Sequence, residues 1–146
     1  MRAAIIQTCI DERLNHELLR TQVRHKLAAL YSGAERVLIL NEIAGNLGEN
    51  FRNTLDMLLQ MKAEIVLAGV LHHDDCLAAK QGLRRPLEET TAQMADLLAS
   101  RGVSCVLATG NIYTNNNHIV WLKDIQVKPE ATRAGKVSGV SQRSKP

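Results

Sequence analysis

Leu71-His72-His73-Asp74-Asp75-Cys76 is the stretch around which this chain is organised. It follows the apolar run Ala63 to Leu71, which reads as a buried strand with Glu64 to Leu71 at its heart. A histidine and a cysteine three residues apart at the end of a strand have the residue types and spacing of zinc ligands. A second apolar run, Arg2 to Thr8, ends in the same manner at Cys9-Ile10-Asp11-Glu12-Arg13. If the two strands are parallel, both ends fall on one edge of the sheet. Cys9, His73 and Cys76 can then meet as a two-sulfur, one-nitrogen set, with a fourth position left for water or a carboxylate.

Working outward, helical and strand-like segments alternate. Leu14 to Tyr31 has Leu14, Leu18, Val23, Leu27 and Leu30 at helical spacing, with Asn15 as N-cap and Gly33 as stop. Arg36 to Leu40 is a second buried strand, and Asn41 to Gly48 a loop. Glu49 to Met61 is a helix with Phe51, Leu55, Leu58 and Leu59 on one stripe. Beyond Cys76, Leu77 to Gly82 is at most a short helical turn, broken by Arg84-Arg85-Pro86. Leu87 to Arg101 is a helix with Met94, Leu97 and Leu98 on its apolar face. Val103 to Thr109 is a fourth strand, and Gly110 to Asn117 a turn whose asparagines tolerate positive φ. His118 to Leu122 is a fifth strand, antiparallel to the fourth. The fold class this order predicts is α/β: a mostly parallel open sheet of about five strands flanked by helices. Ligands of such sheets bind beyond the carboxyl ends of the strands, where both metal-like motifs lie.

Composition narrows the function classes. With 146 residues, 45% of them apolar and 23% charged, one domain with its own core is expected. Aromatics make up only 3%, so that core is aliphatic. No apolar run approaches the ~20 residues of a membrane span, and Met1 to Ile6 reads as the start of a strand and not as a signal peptide. Three cysteines, an odd count, suit reduced thiols in a cytoplasmic protein. The net charge of +3 is uneven. From Lys123 on, six Lys/Arg stand against two acids, whereas residues 1–122 carry 12 basic and 13 acidic side chains. A near-neutral body argues against nucleic acid as a partner. The expected organisation is a single zinc-binding domain over residues 1–122 and a basic, solvated tail over 123–146.

The two motifs and their order resemble the β-class carbonic anhydrases. Cys9-Ile10-Asp11-Glu12-Arg13 is similar to that family's C-x-D-x-R, and His73-Asp74-Asp75-Cys76 to its H-x-x-C. Ala44-Gly45 follows the second strand where the family has an Ala-Gly turn, and Ile112 to Leu122 resembles its last strand pair. The resemblance spans residues 3–122. It implies Zn²⁺ held by Cys9, His73 and Cys76, and catalytic roles for Asp11 and Arg13 as a carboxylate–guanidinium pair beside the metal. Asp11 either ligates the ion or, paired with Arg13, orients its water. The activity implied is reversible hydration of carbon dioxide to bicarbonate by a metal-bound hydroxide, a lyase reaction, in a homodimer or larger homo-oligomer.

Four positions depart from the family pattern. Leu77 stands where a glycine is usual, Glu12 where a small residue is, and Glu42-Ile43 where Arg-Asn is. The helical arm with which the family embraces a partner subunit is expected to be lacking, and a sheet edge at the N-terminal strand would join subunits instead. Glu12 can compete for Arg13 and free Asp11 to close a structural zinc. The altered lining at Ile43 and Leu77 also admits a related substrate such as carbonyl sulfide. Of the remaining candidates, His72 points away from His73 and reads as structural or as a support to the ligand candidate beside it. Asp75 reads as a backbone-bonding group, Cys105 as core, and Arg84-Arg85 as a solvated corner.

Overall fold

The computed structural model describes residues 1–30 and 32–129. The elements run β1 (Arg2–Cys9), α1 (His16–Ala29), β2 (Arg36–Glu42), a 3-10 turn (Ile43–Gly45), α2 (Glu49–Gln60), β3 (Glu64–His73), α3 (Leu77–Lys80), α4 (Leu87–Ser100), β4 (Cys105–Tyr113) and β5 (His118–Val127). They build one five-stranded sheet in the order β2-β1-β3-β4-β5. All neighbours pair in parallel except β4 and β5, which form an antiparallel hairpin. The α/β class and the number of strands agree with the reading of the sequence.

Each element has a local cause. The Asn15 side-chain oxygen accepts from the Glu17 and Leu18 amides at 3.0 and 3.2 Å, capping α1 as expected. The buried stripe of α1 is Leu19, Val23 and Leu27, with Leu18 turned to solvent in place of the inward position expected for it. The expected end of this helix at Tyr31 lies outside the described residues. In α2 the stripe is Phe51, Leu55 and Leu58, and in α4 Met94, Leu97 and Leu98 are buried.

The helices form two layers. Phe51, Leu55, Leu58, Met94 and Leu98 pack on one face of the sheet with Ile5, Val70 and Leu107. Leu19, Val23 and Leu27 pack on the other with Ile6, Leu67, Leu71 and Ile112. Strand β1, flanked on both sides and covered on both faces, is buried from Ala3 to Cys9. The expected N-terminal sheet edge is therefore corrected: β2 and β5 are the edge strands. After β1 the chain crosses over α1 to one side, and after β2 it crosses over α2 back to the far side of β1. Two such crossovers leave the first strand in the middle.

The β4–β5 hairpin is longer than the sequence pattern showed. Only Thr114 to Asn117 turn, and β5 continues past Leu122 to Val127. The register steps from Thr109 opposite Lys123 to Gly110 opposite Trp121, so Leu122 is an extra residue, a β-bulge. Gly110 belongs to this irregularity. A Cβ there would lie 2.8 Å from the Val120 carbonyl oxygen and 3.1 Å from Leu71 Cδ2. The tail expected from Lys123 thus begins as strand, and its residues from Glu130 lie outside the described residues.

Because the obstacle at Gly110 is backbone, Gly110→Ala is expected to destabilise the fold by about 1–3 kcal/mol. Gly33→Ala, which meets nothing within 4 Å, should change stability by less than about 0.5 kcal/mol. Urea unfolding of both variants measures the difference.

Candidate metal centre

Strands β1 and β3 lie side by side and parallel, with Gln7 opposite Val70, so both run out at the same edge. Cys9 ends β1 and His73 ends β3. Asp75 turns the chain with φ +51, and Cys76 comes back under the edge as N-cap of α3. The Sγ atoms of Cys9 and Cys76 and a ring nitrogen of His73 lie within 4.8 Å of one another, and all three residues are buried. The juxtaposition predicted from the two motifs is present.

The imidazole is set for ligation. His73 Nδ1 lies 2.7 Å from the Asp74 carbonyl oxygen, to which it donates. Its proton is thereby fixed there, and Nε2 carries the free lone pair. That Nε2 is buried and has no hydrogen-bond partner among the described residues, in a side chain only 1% exposed. Leaving a polar atom so placed unpartnered costs about 1–3 kcal/mol unless something fills the position. Burial pushes the Cys9 thiol above its ordinary pKa, and the neighbouring Cys76 adds to the rise. A bound cation would reverse that preference by favouring both thiolates. Two thiols and an imidazole form a donor set that allows a metal.

Arg13 braces the group. Its Nη2 and Nε donate to the two Asp11 carboxylate oxygens at 2.7 and 3.0 Å, and its amide donates to Oδ1 at 2.9 Å. These hydrogen bonds hold the Asp11 carboxyl down at about 2. Asp11 Oδ2 stands 3.9 Å from His73 Nε2, beside the ligand cluster but engaged by Arg13. Sequence reasoning missed the second half of this brace: Arg13 Nη1 donates to Asp75 Oδ2 at 3.0 Å, and Nη2 to the Asp75 carbonyl at 2.9 Å. Lys80 bonds the other Asp75 oxygen. Asp75 therefore pins the β3 loop to the β1 loop, a long-range pair with no periodicity to announce it.

The Arg13 main chain is held as well. Buried Asn117, at φ +60, donates from Nδ2 to the Arg13 carbonyl and accepts from the Asn15 amide. Glu12 sits on the turn closed by the Leu14 amide and the Asp11 carbonyl, and it is exposed. Arg13 is bonded to Asp11 and Asp75, not to Glu12. Glu42 is turned toward Gly48, ahead of α2.

A cavity of about 400 Å³ opens beside the cluster, bounded by Cys9, Asp11, Arg13, Ile43, Cys76 and Leu77. Its mouth carries exposed apolar side chains: Ile10, Ile43 and Leu77 are 59%, 53% and 69% exposed. Ala44, at φ +59, and Gly45 turn the backbone past the Cys9 amide, which brings Ile43 to that mouth. His72 faces the other side of β3, as read. It is buried, its Nε2 has no partner among the described residues, and burial with the nearby charge of Arg84 pushes its pKa down to about 4. Cys105 is core, as read, its thiol pushed up by burial to about 12.

No protein-family model matches the chain, and no curated protein matches it in sequence. Solved structures do resemble it. The β-carbonic anhydrase of Coccomyxa, in complex with acetazolamide, superposes with a TM-score of 0.54 over 90% of this chain and 76% of that one, at 14% identity. The carbonic anhydrase of Streptococcus mutans gives 0.49 over 82% and 81%, at 16% identity. The fold is β-carbonic-anhydrase-like.

The neutral burial of His72 makes stability depend on pH. Its folded pKa of about 4 lies below the ordinary 6.5, so its contribution is complete above 6.5 and is lost as pH falls toward 4. The loss amounts to at most about 3 kcal/mol. In chelator, unfolding free energies of the wild type should decline more steeply over this window than those of His72→Gln. Parallel slopes would show that His72 is not the origin.

Proposed function

We propose that this chain is a zinc-dependent carbonic anhydrase-like lyase, interconverting carbon dioxide and bicarbonate, with Zn²⁺ held by Cys9, His73 and Cys76. The observation that supports the reading most is the convergence of three buried ligand atoms around an unpartnered His73 Nε2. Bound there, the ion would supply Lewis acidity and bring a coordinated water's pKa toward ~7.

The chain's own residues divide the remaining work. Arg13 holds Asp11 ionised and fixed in direction, so its carboxylate is an oriented hydrogen-bond acceptor beside the cysteine–histidine cluster, suited to align a water there. Asp75 keeps Arg13 there. Ile10, Ile43 and Leu77 wall the approach with hydrocarbon, which suits a small uncharged substrate better than an ion. This same wall favours a second reading, hydrolysis of carbonyl sulfide. Closure of the metal by Asp11 is the reading with least support, because Arg13 engages both carboxylate oxygens. The exposed apolar rim also fits burial against a second copy, so we infer a homo-oligomer. With all three cysteines free, the reading includes a cytoplasmic, reducing location. Among the described residues no helix is long and apolar enough to cross a membrane.

Purified wild type should carry one zinc per chain by elemental analysis, and Cys76→Ser little. Carbon dioxide hydration should be measurable, with carbonyl sulfide assayed in parallel. Arg13→Ala should keep its zinc and lose roughly 10- to 100-fold in rate. Zinc-replete wild type inactive on both substrates would leave a structural metal. Equal, negligible zinc in wild type and Cys76→Ser would end the metal reading.

A further inference from the structure

The turn that joins β4 to β5 carries none of the candidate ligands, yet it reaches both loops of the metal centre. Thr114 meets the β3 side. Its amide and its Oγ1 donate to Asp74 Oδ1 at 2.8 and 3.0 Å. The Asp74 carbonyl is the acceptor that orients the His73 ring. Asn117 meets the β1 side. Its Nδ2 donates to the Arg13 carbonyl at 3.1 Å, and its Oδ1 accepts from the Asn15 amide at 2.7 Å.

We propose that Asn117 is a positioning residue of the metal centre: from the hairpin turn it aims the Arg13 guanidinium, and through it the Asp11 carboxylate. The proposal deepens the lyase reading and rests on it for any effect on rate. Three observations carry it. First, both halves of the Asn117 amide are engaged by one short stretch, on either side of buried Leu14. They supply the pair of bonds that a neighbouring strand would give a stretch that has none. Second, the Arg13 side chain is 42% exposed, so packing does little to direct it. The direction of its fork toward Asp11 and Asp75 depends on where its backbone is held.

Third, Asn117 is itself fixed. Its amide donates to the Tyr113 carbonyl at 2.7 Å, and its carbonyl accepts from Gln22 Nε2, on α1, at 2.6 Å. Gln22 Oε1 accepts from the Ile119 amide at 2.8 Å, so turn and helix hold each other. The residue stands at φ +60, where glycine would shape the turn as well. What asparagine adds there is a buried amide directed at another loop.

The test is hydrogen exchange of arginine Nε–H protons, read by NMR on the zinc-supplemented full chain in wild type, Asn117→Gly and Asn117→Asp. Glycine keeps the turn and deletes the amide. Aspartate keeps the acceptor for Asn15 and sets an oxygen against the Arg13 carbonyl. The Arg13 Nε–H, bonded to Asp11 at 3.0 Å, should exchange about tenfold faster in both variants. The Arg101 Nε–H, bonded to Asp56 at 2.8 Å and placed before the other end of β4, is the reference and should not change. Zinc content should hold, while the kcat of carbon dioxide hydration falls roughly tenfold. Equal acceleration at Arg13 and Arg101 would show a merely structural residue and overturn the proposal. So would an Arg13 proton indifferent to both substitutions, or full hydration in a variant whose Arg13 proton exchanges fast. An inactive wild type would refute the lyase reading, and the Arg13 proton would still decide whether Asn117 aims the guanidinium.

Discussion

The parallel pairing of β1 with β3 is the constraint on which the rest depends. It sets two strand ends level at one edge, and those ends carry Cys9 and His73. A slip of one residue would turn every side chain of β1 to the opposite layer. Such a slip is opposed by the burial of Ala3 to Cys9 on both faces, with Ile5 in one core and Ile6 in the other. Only at the end of β1 does the pattern become polar. Gln7 and Thr8 are fully buried, and the Gln7 Oε1 and Thr8 Oγ1 have no partner among the described residues. Polar groups so placed are an expense that a purely structural strand avoids. They adjoin the edge where the candidate ligands gather.

What the pairing brings together, Arg13 ties. Loops after two different strands have freedom to move apart, and a single guanidinium bonded to Asp11 on one and Asp75 on the other removes much of it. The cluster is therefore shaped by the fold itself, and a metal held there would meet a smaller ordering cost. Exposed ion pairs add little to global stability. The value of this one is geometric: it fixes the direction of Asp11 relative to His73.

Much of this was legible in the sequence, for physical reasons that differ by element. The buried strands show as continuous apolar runs because parallel strands covered on both faces have no polar side. The meeting of Cys9, His73 and Cys76 was legible because these residues are chemically distinctive and end or follow such runs. The position of β1 within the sheet was not legible, since strand order follows from the direction of crossovers and leaves no mark in a strand's own residues. The Arg13–Asp75 bond and the Asn117 clamp were illegible for another reason: they join residues 62 and 104 positions apart through loops. The reading of His72 as structural or as a support to its neighbour rested on its direction. What that direction meets is set by Arg84, Asn111 and α4, which only the fold assembles.

Leu122 behaves like an inserted letter in a message read two at a time. Before it, Ile119 and Trp121 face the layer of α1; after it, Ile125 and Val127 face the layer of α2 and α4. One strand thus serves both cores, and the change of phase is why alternation dissolves at this point in the sequence. A single-residue deletion there would restore a regular ladder while sending one half of β5 to the wrong side. Substitution at Leu122 is the gentler change, because the backbone step survives it. In lineages of this chain, β5 should therefore tolerate exchange of residues far better than change of length, and Leu122, on the wall of two cavities, is where exchange would retune what those cavities admit.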